Sequence, residues 1–169
     1  MINRATRIKE LMDALKLRLC VAESITSGNL QAAIGSVSGS STYFEGGMTV
    51  YSRKQKVSLL GINDEHAKEV NSVSARVAEE LARGVCLKYD ADIALGTTGY
   101  AEPYPQENVL TPYGFFAIWH RRPGTAEGKV VAAEQVFGED RGRVEMQQYM
   151  TEVVLGALLH HLESLKTNS

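Results

Sequence analysis

The hydrophobic period of the chain changes at Leu17, and that change limits the folds open to it. Residues 2–16 carry Ile2, Ala5, Ile8, Leu11, Met12 and Leu15 at helical spacing, which predicts an amphipathic helix. From Leu17 the spacing becomes two. Leu17, Leu19 and Val21 fall on one face of a strand, and Arg18, Cys20 and Ala22 on the other. A strand over 17–23 is therefore expected, mostly buried beyond Arg18. It runs straight into the small, polar segment Ser24–Gly28, interrupted only by Ile25, after which helical spacing returns over 30–37. A buried strand between two helices is the repeating unit of a layered α/β domain.

The rest of the chain keeps mixing the two periods. Ser38-Gly39-Ser40-Ser41 is a loop signal. A strand is expected over 47–51 and a short helix over 53–60, stopped by Gly61. Ser74 suits the N-cap of a helix carrying Val77, Leu81, Val85 and Tyr89. Residues 93–96 read as a buried strand, and 99–113, with Pro103, Pro105 and Pro112, as loop. Strands over 115–119 and 129–137, joined by a turn, read as a hairpin. A long helix over 140–163 has Val144, Thr151, Val154, Leu155, Leu158 and Leu162 on its inner side, and residues 166–169 are expected to fray. There is neither linker nor internal repeat. The expectation is one domain over 1–169, a sheet with helices on both faces and an antiparallel part.

The 169 residues can bury a core without staples. A net charge of −2 supplies no field to draw in nucleic acid or an anionic membrane, and Arg53-Lys54-Gln55-Lys56 is too short for a polybasic tract. No apolar run approaches the ~18 residues of a membrane span, and the polar N-terminus lacks a signal-peptide core. Cys20 and Cys86 lie in apolar stretches and read as core. No Cys-x-x-Cys spacing occurs, and adjacent His160 and His161 point in different directions on a helix, so no metal site is expected. A reducing cytoplasm is the expected compartment.

Chemistry, if present, centres on the turn carrying Ser24. A helix N-terminus offers unpaired N–H groups and a positive dipole end, which can bind phosphate or stabilise an oxyanion. Spacing alone leaves two readings open: Ser24 presents its hydroxyl to a ligand, or Ser24 or Thr26 is only an N-cap.

Further motifs accompany this turn in order. Ala22-Glu23-Ser24 is followed by Thr26 and Gly28, and Gly39-Ser40-Ser41 by Phe44 and Gly46-Gly47. Next come Tyr51-Ser52 with Lys56 and Leu60-Gly61, then Val73-Ser74, then Thr98-Gly99-Tyr100-Ala101 with Pro103. Pro112-Tyr113-Gly114 and Asp140-Arg141 complete the set. In this order they resemble the C-terminal domain of the competence-and-damage-inducible protein CinA, whose stand-alone members are nicotinamide mononucleotide deamidases. The resemblance covers nearly the whole chain. It implies a three-layer α/β/α sandwich with a mixed sheet, and self-association into a homo-oligomer. It also implies hydrolysis of a small-molecule carboxamide, nicotinamide mononucleotide to nicotinic acid mononucleotide plus ammonia, without a metal or cofactor. Carried over by position, Ser24 is the nucleophile, Lys56 its base and Tyr51 an orienter or relay. Thr26, Gly28, Thr98, Gly99 and Arg141 are then the candidate substrate-binding residues.

The chain departs from the family pattern in places. Ile25 and Ser27 replace a cysteine and a glycine in the turn. The loop after Gly99 has lost its glycines and gained Glu102, and Glu139 replaces another glycine. An acid beside a dianionic phosphate would repel it by several kcal/mol at ~4 Å and an effective dielectric of ~20. The alternative to an active amidohydrolase is thus a CinA-like binding or assembly module that keeps the fold without the activity.

Overall fold

The computed structural model describes residues 4–167. Ile2 of the first predicted helix and residues 168–169 of the predicted frayed tail lie outside them. Helix α1 (Arg4–Leu15) leads into strand β1 (Leu19–Glu23), helix α2 (Asn29–Gly35) and strand β2 (Phe44–Thr49). Helices α3 (Arg53–Leu60), α4 (Asp64–Glu69) and α5 (Ala75–Lys88) follow. Strands β3 (Ile93–Tyr100), β4 (Tyr113–Arg121) and β5 (Gly128–Phe137) precede the long helix α6 (Arg143–Thr167).

The five strands form one sheet in the order β2-β1-β3-β4-β5. β1 pairs in parallel with β2 and β3, whereas β3–β4 and β4–β5 are antiparallel. The sheet is therefore mixed, and residues 115–119 and 129–137 do lie in a hairpin.

The alternation of β1 sorts its side chains into two cores. Leu19 and Val21 join Ile8, Leu11, Ile34, Leu95, Phe116 and the apolar face of α6 on one side. Cys20 and Ala22 join Leu60, Ile62, Val77, Leu81 and Val85 on the other. Helices α1, α2 and α6 thus cover one face and α3 to α5 the other, giving the three-layer α/β/α sandwich. Gly96 of β3 lets α5 come close: a Cβ there would stand 2.3 Å from the Ala78 carbonyl oxygen. Both cysteines are buried and unpaired.

Some local expectations need correction. Residues 64–69 form α4, capped by Asn63, whose side chain accepts from the His66 amide. The segment over 99–113 contributes its ends to β3 and β4, because Gly99 and Tyr100 pair with Gly114 and Tyr113. The β2 strand starts and ends earlier than 47–51. Val144, expected on the inner side of α6, is exposed, since it falls in the first turn beyond the edge of the core. Lys166 and Thr167 belong to α6. His161 meets His120 of β4 at 3.0 Å between ring nitrogens, and burial lowers His161 to a pKa of about 4.

This topology fixes where a site can be. From β1 the chain moves outward through α2 to β2 on one side, then returns through α3–α5 to β3 on the other. Neighbouring parallel strands whose connections diverge leave a crevice outside their carboxyl ends. Ser24 follows the last residue of β1, and Thr98 and Gly99 lie near the end of β3.

Candidate active site

A cavity of about 280 Å3 opens at this crevice. Ser24 and Ile25 contribute from the β1 turn, Tyr51 to Arg53 and Lys56 from the start of α3, and Thr98 to Ala101 from β3. Asn71, Ser72 and Val73, before α5, complete its wall.

Lys56 is the key group. It sits one turn inside α3, whose first turn is capped by the Ser52 side chain accepting from the Gln55 amide. Its side chain turns inward and is only 2% exposed. Nζ lies 2.8 Å from each of three oxygens: the Val50 carbonyl, the Tyr51 carbonyl and Ser24 Oγ. No carboxylate pairs with it among the described residues. Burial therefore acts unopposed and lowers its pKa to about 8.

That geometry has a directional consequence. A neutral amine has two N–H bonds and one lone pair. When the two N–H groups donate to the Val50 and Tyr51 carbonyls, the lone pair is left facing Ser24 Oγ. Serine can then donate its proton to nitrogen, and the same two carbonyls hold the ammonium that results. A hydroxyl hydrogen-bonded to a buried, neutral amine is an activated nucleophile.

Ser24 is held from behind. Its amide donates to Thr97 Oγ1 at 3.3 Å, and Thr97 Oγ1 hydrogen-bonds Thr26 Oγ1 at 2.9 Å. Thr26 is fully buried and supports the turn from beneath. The amides of Ile25 and Thr26 donate no hydrogen bond to the described residues. Unpaired amides beside a nucleophile are the donors an oxyanion needs.

The N-terminus of α2 is closed by neither Ser24 nor Thr26. Glu23, fully buried, bends back to cap it: one carboxylate oxygen accepts from the Gly28 and Leu30 amides at 3.0 and 3.1 Å, and the other from Gln31 at 2.8 Å. The N–H groups expected to face a ligand there are engaged. Gly28 (φ 96°) and Ser27 (φ 50°) both take left-handed backbone to make this return possible.

The remaining candidates divide. Thr98 and Gly99 line the cavity, with Thr98 Oγ1 donating to the Ser72 carbonyl at 2.6 Å. Gly99 has no room for a Cβ, which would meet Gly114 Cα at 2.5 Å and Ile25 Cδ1 at 2.7 Å. Tyr51 reaches Lys56 through its carbonyl, while its hydroxyl accepts from Arg143 at 2.6 Å. Arg141 stands outside the cavity lining: it donates to the Gly138 carbonyl and its guanidinium lies 3.8 Å over the Tyr149 ring. Glu102 is exposed and accepts from Arg143 at 2.6 Å.

Sequence reasoning missed Asn71, Ser72 and Arg143. Asn71 and Ser72 are consecutive left-handed residues (φ 48° and 60°), and Asn71 Nδ2 donates to the Tyr100 hydroxyl at 3.0 Å. Strained backbone of this kind clusters at functional sites. The signal available was Asn-Ser just before the Ser74 cap, a pair suited to a tight return.

Comparison with known proteins agrees with this architecture. A family model described as the CinA C-terminal domain matches residues 2–162. A CinA-like protein of Picosynechococcus is 36% identical over 161 residues, 95% of this chain and 37% of the relative. The chain thus spans little more than a third of the length of such relatives. A protein of Enterobacter agglomerans named nicotinamide-nucleotide amidohydrolase PncC is 34% identical over 141 residues, 82% of this chain and 84% of the relative. Among solved structures, a CinA superfamily protein of Klebsiella pneumoniae superposes with a TM-score of 0.85 at 23% identity, covering 95% of this chain and 96% of that one. A competence/damage-inducible protein of Agrobacterium tumefaciens gives 0.83 at 26%, covering 95% and 93%. By sequence and by fold, the chain belongs to the CinA C-terminal domain family.

Proposed function

We propose that this protein is a serine amidohydrolase acting on the carboxamide of a nicotinamide nucleotide or a close relative of one, with Ser24 as nucleophile and Lys56 as general base. The observation that carries this reading is the 2.8 Å contact between Lys56 Nζ and Ser24 Oγ, with two carbonyls on the other side of the amine. The relative named for nicotinamide-nucleotide amidohydrolysis, matched over most of both chains, supports the substrate class.

The steps follow from the geometry. Lys56 takes the Ser24 proton as Oγ attacks the amide carbon. The carbonyl oxygen becomes an oxyanion, with the amide of cavity-lining Ile25, unengaged among the described residues, as its candidate donor. The tetrahedral adduct collapses by breaking the C–N bond, and the Lys56 ammonium returns its proton to the leaving nitrogen, so ammonia departs. Water then attacks the acyl-serine, Lys56 accepts its proton and passes it to Ser24 Oγ, and the carboxylic acid leaves. Tyr51 acts through its backbone on Lys56 and positions the base.

Ammonia release from nicotinamide mononucleotide and from its riboside, by the wild type beside Ser24→Ala, tests this. Release from at least one amide by the wild type, lost in the variant, is expected. No release from either, or equal release by both proteins, contradicts it. The intact Ser24–Lys56 contact favours the enzyme over the binding-module alternative.

A further inference from the structure

A bridge that the chemistry above does not use is anchored on the cavity-lining Tyr51. Arg143, the first residue of α6, donates through one terminal nitrogen to Glu102 Oε1 and through the other to the Tyr51 hydroxyl, both at 2.6 Å. Glu102 follows the cavity-lining Ala101, and Tyr51 lines the cavity itself. The bridge therefore ties the loop after β3 to the loop after β2 through α6. The electrostatic interaction with Tyr51 raises the pKa of Arg143, and the hydrogen bonds to Tyr51 and Glu102 add to it.

The consequence is that the cations around the cavity are all engaged. Arg53 lines it and is ion-paired with Asp64. Lys56 faces two carbonyls and Ser24. The helix end nearest Ser24 is closed by Glu23. Arginine forks are suited to phosphate, but here the Arg143 fork, in contact with cavity-lining Tyr51, already holds a carboxylate. A phosphate arriving there must displace Glu102 or bear its repulsion.

Resting on the amidohydrolase reading, we infer that Glu102 is a specificity-determining residue: by occupying Arg143 it disfavours the phosphorylated form of the amide and selects an unphosphorylated pyridinium carboxamide nucleoside. Tyr51 and Arg143 set the position of this carboxylate.

The test compares nicotinamide riboside with nicotinamide mononucleotide, which differ by one phosphate, in the wild type and in Glu102→Gln. The wild type is expected to show a kcat/KM at least tenfold higher for the riboside. Glu102→Gln is expected to narrow that ratio at least tenfold, through a lower KM for the mononucleotide. A wild type preferring the mononucleotide, or a ratio unmoved by the substitution, overturns the inference. A second measurement needs no turnover: inorganic phosphate, titrated by isothermal calorimetry or chemical-shift change, is expected to bind Glu102→Gln about tenfold more tightly than the wild type. Equal binding overturns the role of Glu102. Should neither amide be hydrolysed, the amidohydrolase reading fails, and the phosphate titration still decides whether Glu102 guards Arg143.

Discussion

The two ends of the sheet treat charge in opposite ways. At the amino ends of β1 and β3, Arg18 lies within 3.8 Å of Glu45, Asp90 and Asp92, and its amide donates to Asp92. Arg121 donates to Asp90 at 2.6 Å, a hydrogen bond that holds the Asp90 carboxyl below the usual range and raises Arg121. Each of these five groups has an opposite charge within 4 Å, and none is fully buried. At the carboxyl ends, Lys56 is buried with only neutral oxygens around it. The first arrangement favours the charged forms of Asp90 and Arg121. The second pushes one group toward neutrality, which is useless for stability and necessary for a base.

Removing the second arrangement should cost most. Ser24→Ala and Lys56→Met should each lower kcat/KM at least a thousandfold, read from ammonia release, because each removes one member of a pair that acts as a unit. Both variants should keep the native circular-dichroism spectrum. The pH dependence sharpens the contrast. The proposed mechanism requires neutral Lys56, so kcat/KM should rise with pH through a midpoint of about 8 and level above it. The same shift has a stability signature. The folded pKa of about 8 lies below the ordinary 10.5, so the protonated lysine favours the unfolded chain. The contribution of Lys56 to stability is then present above pH 10.5, is lost as pH falls through about 8, and is level below that.

Smaller effects separate the scaffold of the site from its chemistry. Glu23→Gln weakens a carboxylate that accepts three amides and should cost about 1–3 kcal/mol in urea unfolding. Ser27→Gly relieves a left-handed serine and should stabilise by about 0.5–1 kcal/mol, with activity unchanged. At the opposite end of the sheet, Asp90→Asn should leave activity intact and move the thermal midpoint by only about one or two degrees, since exposed ion pairs contribute little.

Much of this was legible in the sequence, for stated reasons. The period change at Leu17 marked β1 and even sorted Leu19 and Val21 from Cys20 and Ala22 into separate cores. Ser24 and Lys56 could be named together only through the family resemblance, because they are 32 residues apart and no local spacing connects them. Glu23 was passed over because an N-cap is sought immediately before the helix, whereas its carboxylate returns over a five-residue turn. The resemblance implies Tyr51 as an orienter or relay, and it is its backbone carbonyl that touches Lys56. Sequence displays side chains and conceals backbone roles. Glu102 was read as a lone acid; its partner Arg143 is 41 residues away and carries no motif. Short α4 lacks a clear apolar stripe, with Ala67 alone buried, so periodicity could not reveal it.

The proposed chemistry depends on the Lys56 ammonium being more acidic in the folded protein than that of an ordinary lysine. Titration of its side-chain 13Cε resonance by NMR, assigned by its absence from Lys56→Met, reads this without any substrate. A midpoint near 8 is predicted, well apart from the surface lysines. A midpoint above 10 would contradict the assignment of Lys56 as the base that activates Ser24.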